Sequence, residues 1–346
     1  MKRHTSTILA IFALLLSAVV AFADSPAPGD KGDNGKIDKS GLQGLERVEN
    51  VVYGYPQDGG LLNRLSAIEK TLFGMELPGS LTEREAALER FVERGNETQP
   101  SLLFKMGLAE WLVLRAVYPA KPLVSRVPDL EKALENETRE GALSARLERV
   151  ISKILPGGVT SVGVSFPAGT VMKSRFTKTL TVRNVKKNDV VDLELMEDCV
   201  LGGALVAPKG SRVLAEVTKV KMPRSFGRPS EIGVEFKSIE TLDGQMIPIF
   251  LGPKAKKAME LDTGTAGAAG ASLLGAALIG PVGLAGGFLV RGNDKQIKEG
   301  TIAYVETSEP KNVKGFRIPG PMEELVGPDA SAPQGSTPMG TQNPNP

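Results

Sequence analysis

Residues 49–84 read ENVVYGYPQDGGLLNRLSAIEKTLFGMELPGSLTER and contain one pattern twice. A glutamate is followed, at fixed spacing, by two glycines, a leucine and an arginine. The first copy runs from Glu49 to Arg64, and the second runs from Glu69 to Arg84, 20 residues later. One short helix cannot bury its own apolar face, so units of this kind must pack against one another. The pattern therefore predicts a region of helical repeats.

A third copy runs from Glu131 to Arg146 and has Asn136 where the first two copies have a glycine. After glycine, asparagine is the residue that best adopts the left-handed conformation at a helix end, so this substitution fits the repeat. Ser80 and Glu83 match a capping box, which predicts that a helix begins there. The repeated glutamates and arginines have two structural interpretations, as ion pairs between units or as solvated helix charges.

Residues 101–118 (SLLFKMGLAEWLVLRAVY) are the most apolar helix candidate of this region and include Trp111, the only tryptophan. A helix that is apolar around most of its circumference is normally buried. We therefore predict that it is the central core helix of a helical region over residues 42–155. A groove that binds a partner is the alternative interpretation.

The two ends of the chain carry targeting and linker signals. A positively charged start, an apolar run over residues 8–22 and small residues before Asp24 predict a secretory signal peptide over residues 1–23. Residues 24–41, rich in Pro, Gly, Asp and Lys, predict a flexible leader, and residues 319–346 predict a disordered tail. We therefore expect an exported protein of the periplasm or cell envelope, associated with a membrane.

Composition excludes several classes of chemistry. The only histidine, His4, would be removed with the signal peptide, and Cys199 is the only cysteine. The mature chain therefore cannot form a Ser-His-Asp or Cys-His catalytic site, a histidine zinc site or an internal disulfide. No phosphate loop, dinucleotide fingerprint or carboxylate pair stands out. We expect no enzymatic activity, cofactor or metal, and we expect Cys199 to be a buried thiol. A net charge of +2 does not favour nucleic-acid binding.

Beyond residue 160 the apolar period changes from that of helices to that of strands. The predicted strands are Val171–Phe176, Val190–Leu195, Arg212–Val220, Ile232–Ile239 and Met246–Phe250. Turn residues such as those of Leu242–Gln245 separate them. Residues 298–305 resemble residues 167–171, which indicates a closing strand of the same domain. We therefore predict a small antiparallel β-barrel or sandwich over residues 160–318, in an α+β multidomain chain.

Residues 263–290 (TGTAGAAGASLLGAALIGPVGLAGGFLV) interrupt this β domain with 28 residues that carry no charge. Pro281 disfavours one unbroken helix, so we predict an inserted Gly/Ala-rich helical hairpin. Small residues at short spacing let helix backbones approach closely, as they do between membrane helices. Those residues are Gly264, Gly267, Gly270 and Gly275. The segment therefore predicts association with a membrane or with other copies of the chain; a hairpin that packs on soluble protein is the alternative.

A basic stretch between two predicted strands supplies a candidate anion site. Its charged residues are Lys219, Lys221, Arg224 and Arg228. Such a cluster could hold an anionic cell-wall glycan or lipid headgroups. The alternative is a solvated loop, because the stretch lacks the interleaved aromatic residues that are typical of nucleic-acid surfaces.

The order of short motifs in the β region resembles that of a known family. The motifs are AGTV at 168–171, PKGSR at 208–212, and LDG at 242–244 with a Pro-Ile pair at 248–249; an apolar insertion and a last strand follow them. This order is similar to the C-terminal β-barrel domain of the outer-membrane scaffold subunit of type IV (conjugative) secretion systems. The resemblance implies that residues 263–290 correspond to the helical antenna that lines an outer-membrane ring in that family. In place of a cleavable signal and helical repeats, the family has an uncleaved inner-membrane helix and a proline-rich stretch.

These features predict a non-enzymatic envelope scaffold or interaction protein that is anchored or oligomerised through the uncharged segment. A second hypothesis is a soluble periplasmic module that binds an anionic glycan or lipid through the basic stretch. A hydrolase that uses carboxylates is the third. The expected partners are a membrane, a second copy of the chain, cell-wall glycan or another envelope protein.

Overall fold

The computed structural model describes residues 39–222, 230–265, 287–292 and 296–326. The predicted signal peptide, most of the leader and most of the tail lie outside these residues. The chain divides into two compact units, and the boundary falls between Thr160 and Ser161. The first unit is helical, and the described part of the second is built from antiparallel strands with one α-helix and one 3-10 helix.

The helices of the first unit alternate with short loops. They are α1 (Lys39–Tyr53), α2 (Leu61–Phe73), α3 (Leu81–Glu89) with a π-helical extension (Arg90–Arg94), α4 (Leu102–Leu114), α5 (Leu123–Glu135) and α6 (Leu143–Ile154). Helix α1 begins at Lys39, so the predicted flexible leader gives way to a helix before residue 41. Helix α3 begins at the predicted capping box, in which Ser80 accepts from the Glu83 amide while the Glu83 carboxylate accepts from the Ser80 amide.

Apolar side chains from all these helices form the core of the first unit. The largest is Trp111, which is fully buried in α4, as predicted for the most apolar helix. Leu65, Ile68 and Leu72 bury one face of α2, and their spacing of three and four residues matches the helical period. This amphipathic spacing holds the short helices together, because helices of this length are marginal in isolation.

Four buried glutamates connect consecutive helices in the same way. Each carboxylate accepts two hydrogen bonds from one arginine of the next helix, at 2.5–3.1 Å. Each also accepts a backbone N–H of the intervening loop, eight residues after the glutamate, at 3.0–3.1 Å. We call this arrangement a Glu–Arg clamp. The four clamps are Glu49–Arg64, Glu69–Arg84, Glu110–Arg126 and Glu131–Arg146. The repeated charges are therefore ion pairs and not solvated helix charges.

The clamp Glu110–Arg126 was not recognised in the sequence. Its glutamate and arginine are 16 residues apart, whereas the other clamps have a separation of 15. In addition, Arg115 takes the left-handed helix-end position that Gly54 and Gly74 occupy in the first two copies. Asn136 holds the same conformation in the last copy, with φ 60°, which agrees with the expectation for asparagine at this position.

The second unit contains eleven described strands. They are β1 (Val162–Phe166), β2 (Val171–Phe176), β3 (Val190–Leu195), β4 (Cys199–Leu201), β5 (Ala204–Ala207), β6 (Arg212–Lys221), β7 (Ser230–Glu240), β8 (Met246–Phe250), β9 (Gly287–Gly292), β10 (Ile302–Thr307) and β11 (Lys311–Arg317). Helix α7 (Pro253–Thr265) follows β8, and a 3-10 helix (Gly320–Leu325) lies within the predicted tail.

Six of these strands form a closed antiparallel barrel, which confirms the barrel alternative. Their order is β6-β3-β2-β10-β8-β7, and β7 pairs again with β6 to close the sheet. The predicted closing strand is β10, which joins β2 to β8. The separate four-stranded sheet has the order β1-β11-β5-β4. Inward-facing side chains such as Phe176, Val213 and Phe236 belong to one apolar core, which also includes the buried thiol of Cys199.

Candidate functional site

The structure attaches both ends of the uncharged segment to the barrel. Residues 263–265 complete helix α7, and residues 287–290 belong to β9. The structure therefore corrects the predicted hairpin at its far end, where the segment finishes as a strand and not as a helix. Residues 266–286 lie outside the described residues, and with them the packing positions Gly267, Gly270, Gly275 and Pro281. Gly264 lies in the last turn of α7.

A buried carboxylate holds the first turn of helix α7. Glu306 of β10 is 4% exposed, and its Oε2 accepts the Ala255 backbone N–H at 2.8 Å. A helix N-terminus has free N–H groups and a partial positive charge, so it stabilises a carboxylate placed there. The fit is close, because a Cβ atom on Gly252 would lie 1.8 Å from the other Glu306 oxygen. Glycine is thus required where the chain leaves the barrel and enters the helix.

A polar cluster holds the other end of helix α7. Asp262 accepts a hydrogen bond from the Tyr304 hydroxyl at 2.7 Å and one from the Lys173 ammonium at 2.8 Å. Lys173 lies on β2 and Tyr304 on β10, at paired positions of neighbouring strands. The ammonium also lies 5.5 Å from the centre of the Tyr304 ring, within range of a cation–π contact. We call Lys173, Asp262 and Tyr304 the helix latch.

The ionisation of the helix latch fits attachment better than catalysis. Hydrogen bonds from Lys173 and then Tyr304 lower the pKa of Asp262, and the bond to Asp262 raises the pKa of Lys173. Burial, followed by the bond to Asp262, raises the pKa of Tyr304. General acid–base catalysis needs a pKa near the working pH, and all three shifts move away from neutrality. The cluster therefore acts as a fixed ion pair and hydrogen bond at neutral pH.

Strand β9 attaches the far end of the segment. It pairs antiparallel with the first half of β7, from Ser230 opposite Gly292 to Glu235 opposite Gly287. The second half of β7 pairs antiparallel with β8. Strand β6 also pairs antiparallel with β7, along most of the length of β7. Strand β7 therefore connects the barrel wall directly to the chain that leaves the uncharged segment.

The basic stretch is only partly described. Lys219 and Lys221 lie at the end of β6, and both ammonium groups face the Glu231 carboxylate of β7, at 2.6 and 3.5 Å. Arg224 and Arg228 lie outside the described residues. The structure therefore brings the two lysines together, but it pairs both of them with the same carboxylate. This local neutralisation gives no specific support to an anion site at these lysines.

The residues that carry the site were mostly missed in the sequence. Asp262 directly precedes the uncharged segment, and no sequence pattern indicated a role for Asp262, Glu306, Lys173 or Tyr304. Lys173 and Asp262 are 89 residues apart, so no local motif connects them. The available signal was the position of Glu306 directly after the predicted closing strand, next to apolar residues, where a carboxylate requires a partner.

Among the described residues, no group of three or more His, Cys, Asp or Glu side chains is arranged to hold a metal ion. In the same ranges, no helix has both the length and the apolar character needed to cross a bilayer. No protein-family model matches this chain, and no curated protein matches it either.

Proposed function

We propose that this chain is a non-enzymatic scaffold or interaction protein of the cell envelope, which presents an uncharged segment from a rigid barrel. The observation that carries the proposal is the double attachment of residues 263–290. Helix α7 enters the segment, β9 leaves it, and each is bound to barrel strands by backbone or buried polar contacts. A closed barrel has no free sheet edge of its own, so it is a stable platform for such an insertion.

The proposed role of the segment follows from its composition. Twenty-eight uncharged residues, rich in glycine and alanine, can be covered by lipid or by close packing against other helices. We propose that the segment anchors the protein to a membrane or joins copies of the chain. The resemblance to the secretion scaffold subunit supports this role, because the barrel of that subunit has an insertion at the corresponding position.

We further propose that the helical unit is a duplicated module that offers a docking surface. Helices α1–α3 and α4–α6 each contain two Glu–Arg clamps, and Arg64, Glu69 and Arg84 recur as Arg126, Glu131 and Arg146 at an offset of 62 residues. Each clamp also fixes a backbone amide of its loop. Buried bidentate ion pairs of this kind set geometry more reliably than they add stability, so the loops are held in defined conformations.

The test is fractionation of cells that express the full chain or a variant in which residues 266–286 are replaced by a Gly/Ser sequence of equal length. This replacement leaves α7 and β9 intact, so that the barrel attachment is not disturbed. A matched control replaces residues 327–346 in the same way. Membranes are washed with high salt and then with carbonate. The molar mass of each variant that is purified without detergent is measured by light scattering.

We expect the full chain and the tail variant to remain with carbonate-washed membranes or to form a larger assembly, and the segment variant to lose that property. Retention on the membrane identifies lipid anchoring, and a change in mass alone identifies self-association. If the segment variant behaves like the full chain in both measurements, the proposed role of the segment is wrong.

A further inference from the structure

Helix α7 is attached to the barrel unevenly along its length. Its first two turns contribute Ala255 and Met259, which are 0% and 4% exposed and belong to the apolar core of the barrel unit. Together with the Glu306 carboxylate at the N-terminus, these contacts combine apolar burial with a buried hydrogen bond. This part of the helix is integral to the barrel.

The last turn is attached differently. Glu260 is exposed and Leu261 is 64% exposed, so neither side chain adds appreciable burial. At this level the Asp262 carboxylate contacts the barrel; it is about one-quarter exposed and binds Lys173 and Tyr304. Partly exposed polar contacts contribute less to stability than buried apolar ones. Regions held in this way open locally before the whole fold opens.

We propose that the last turn of α7 is a conformational latch: it opens and closes against the barrel wall independently of barrel unfolding, and Asp262 is its positioning residue. Opening detaches the last turn of α7 from the barrel wall, so the latch sets the position from which the chain enters the uncharged segment. The consequence for the segment rests on the proposed function. The latch itself rests only on the contacts of Lys173, Asp262 and Tyr304.

The test is hydrogen exchange, followed by mass spectrometry, on the full chain and on three variants: Asp262→Asn, Tyr304→Phe and Lys173→Met. Glu260→Gln is the matched control, because it makes the same kind of change two residues away on the same turn. In the Asp262 variant, we expect amides of residues 260–265 to exchange at least tenfold faster than in the unmodified chain. Amides of β2 and β10 should exchange at unchanged rates, and the control should behave like the unmodified chain.

Two results would overturn the latch. Equal protection of residues 260–265 in the Asp262 variant and the unmodified chain would show that the carboxylate does not hold the turn. Faster exchange throughout β2 and β10 would show that Asp262 supports the whole barrel and not a separate opening. Both readouts are independent of the fractionation experiment, so the failure of the latch and the failure of the proposed membrane or assembly role are distinguished.

Discussion

At the scale of single residues, the acidic side chains described above each face a fixed group that stabilises their negative charge. The clamp glutamates are at most 1% exposed, and each has an arginine and a loop amide as partners. Glu306 has a helix N-terminus, and Asp262 has a lysine and a tyrosine. An unpaired buried carboxylate would be strongly unfavourable, so each of these acidic side chains fixes the position of the group that it binds.

The titration of Asp262 provides a test at this scale. Its pKa lies below the ordinary value of 3.8 because Lys173 and Tyr304 donate hydrogen bonds to the ionised form. The interaction therefore stabilises the folded state above about pH 4 and is lost as the pH falls through the lowered pKa. We expect Lys173→Met to raise the pKa of Asp262, measured from the carbon-13 shift of its carboxyl group.

The control for this titration is Lys257→Met, which removes an exposed lysine from the same helix. It should leave the Asp262 titration unchanged. An equal rise in both variants would mean that the general positive charge of the helix, and not the bond from Lys173, lowers the pKa.

Sequence reasoning at this scale succeeded where partners recur at a constant local spacing. Glu49, Glu69 and Glu131 were recognised because their arginines follow 15 residues later. One additional residue concealed Glu110, although its clamp has the same geometry. Asp262 and Tyr304 meet only because the barrel places β10 beside helix α7, and such a tertiary contact leaves no periodic signal in a single sequence.

At the scale of elements, the Glu–Arg clamps determine how one helix follows another. The clamp between α2 and α3 is the most buried one for which both partners were predicted, with Glu69 at 0% and Arg84 at 7% exposure. We expect Glu69→Gln to destabilise the helical unit by about 3–5 kcal/mol, because the buried Arg84 guanidinium loses its nearest carboxylate and keeps only the more distant, half-exposed Glu76 at 3.7 Å. Urea unfolding followed by circular dichroism at 222 nm measures this change.

The comparison variant is Asp129→Asn, which breaks the ion pair with Lys121 on the surface of the same unit, where both side chains are about half exposed. Exposed pairs contribute about 0–1 kcal/mol, so little change is expected. Similar losses in the two variants would contradict the interpretation that burial is what makes the clamp important.

A strand could be predicted from the sequence when one of its faces is buried and the other is more exposed, because its apolar and polar residues then alternate. Strands β2, β3 and β6 alternate between buried and more exposed residues, and all three were identified. Strands β4 and β5 are short and buried at every position, so they have no alternation to detect. Residues 287–290 of strand β9 were assigned to a helical hairpin because they continue an uncharged run. Its pairing with β7 is a long-range contact that composition does not reveal.

At the scale of the whole molecule, the chain contains two units with separate apolar cores. The boundary between Thr160 and Ser161 follows the end of α6 and precedes β1. Because each unit buries its own core, we expect residues 39–160 and 161–326 to fold when they are expressed separately. Each fragment should show one cooperative thermal transition within a few degrees of a transition of the full chain, as measured by calorimetry.

A fragment pair divided between Arg146 and Leu147, inside α6, is the matched control. That division separates Leu147 from the helical core, in which it is fully buried, so the first fragment should lose its cooperative transition. Loss of cooperativity in both fragments of the 160/161 division would contradict the independence of the two units.

The pairing of β2 with β10 also has a consequence for the order of events during synthesis. Ser174 and Ala303 are register partners, although 129 residues of chain separate them. Contacts between such distant positions form slowly, and in a growing chain the earlier strand must wait for the later one. Strand β10 is made after residues 263–290, so the barrel cannot close until the uncharged segment has already emerged. The nascent chain therefore passes through a stage at which this segment is complete and its platform is not, the stage at which it most needs protection against aggregation.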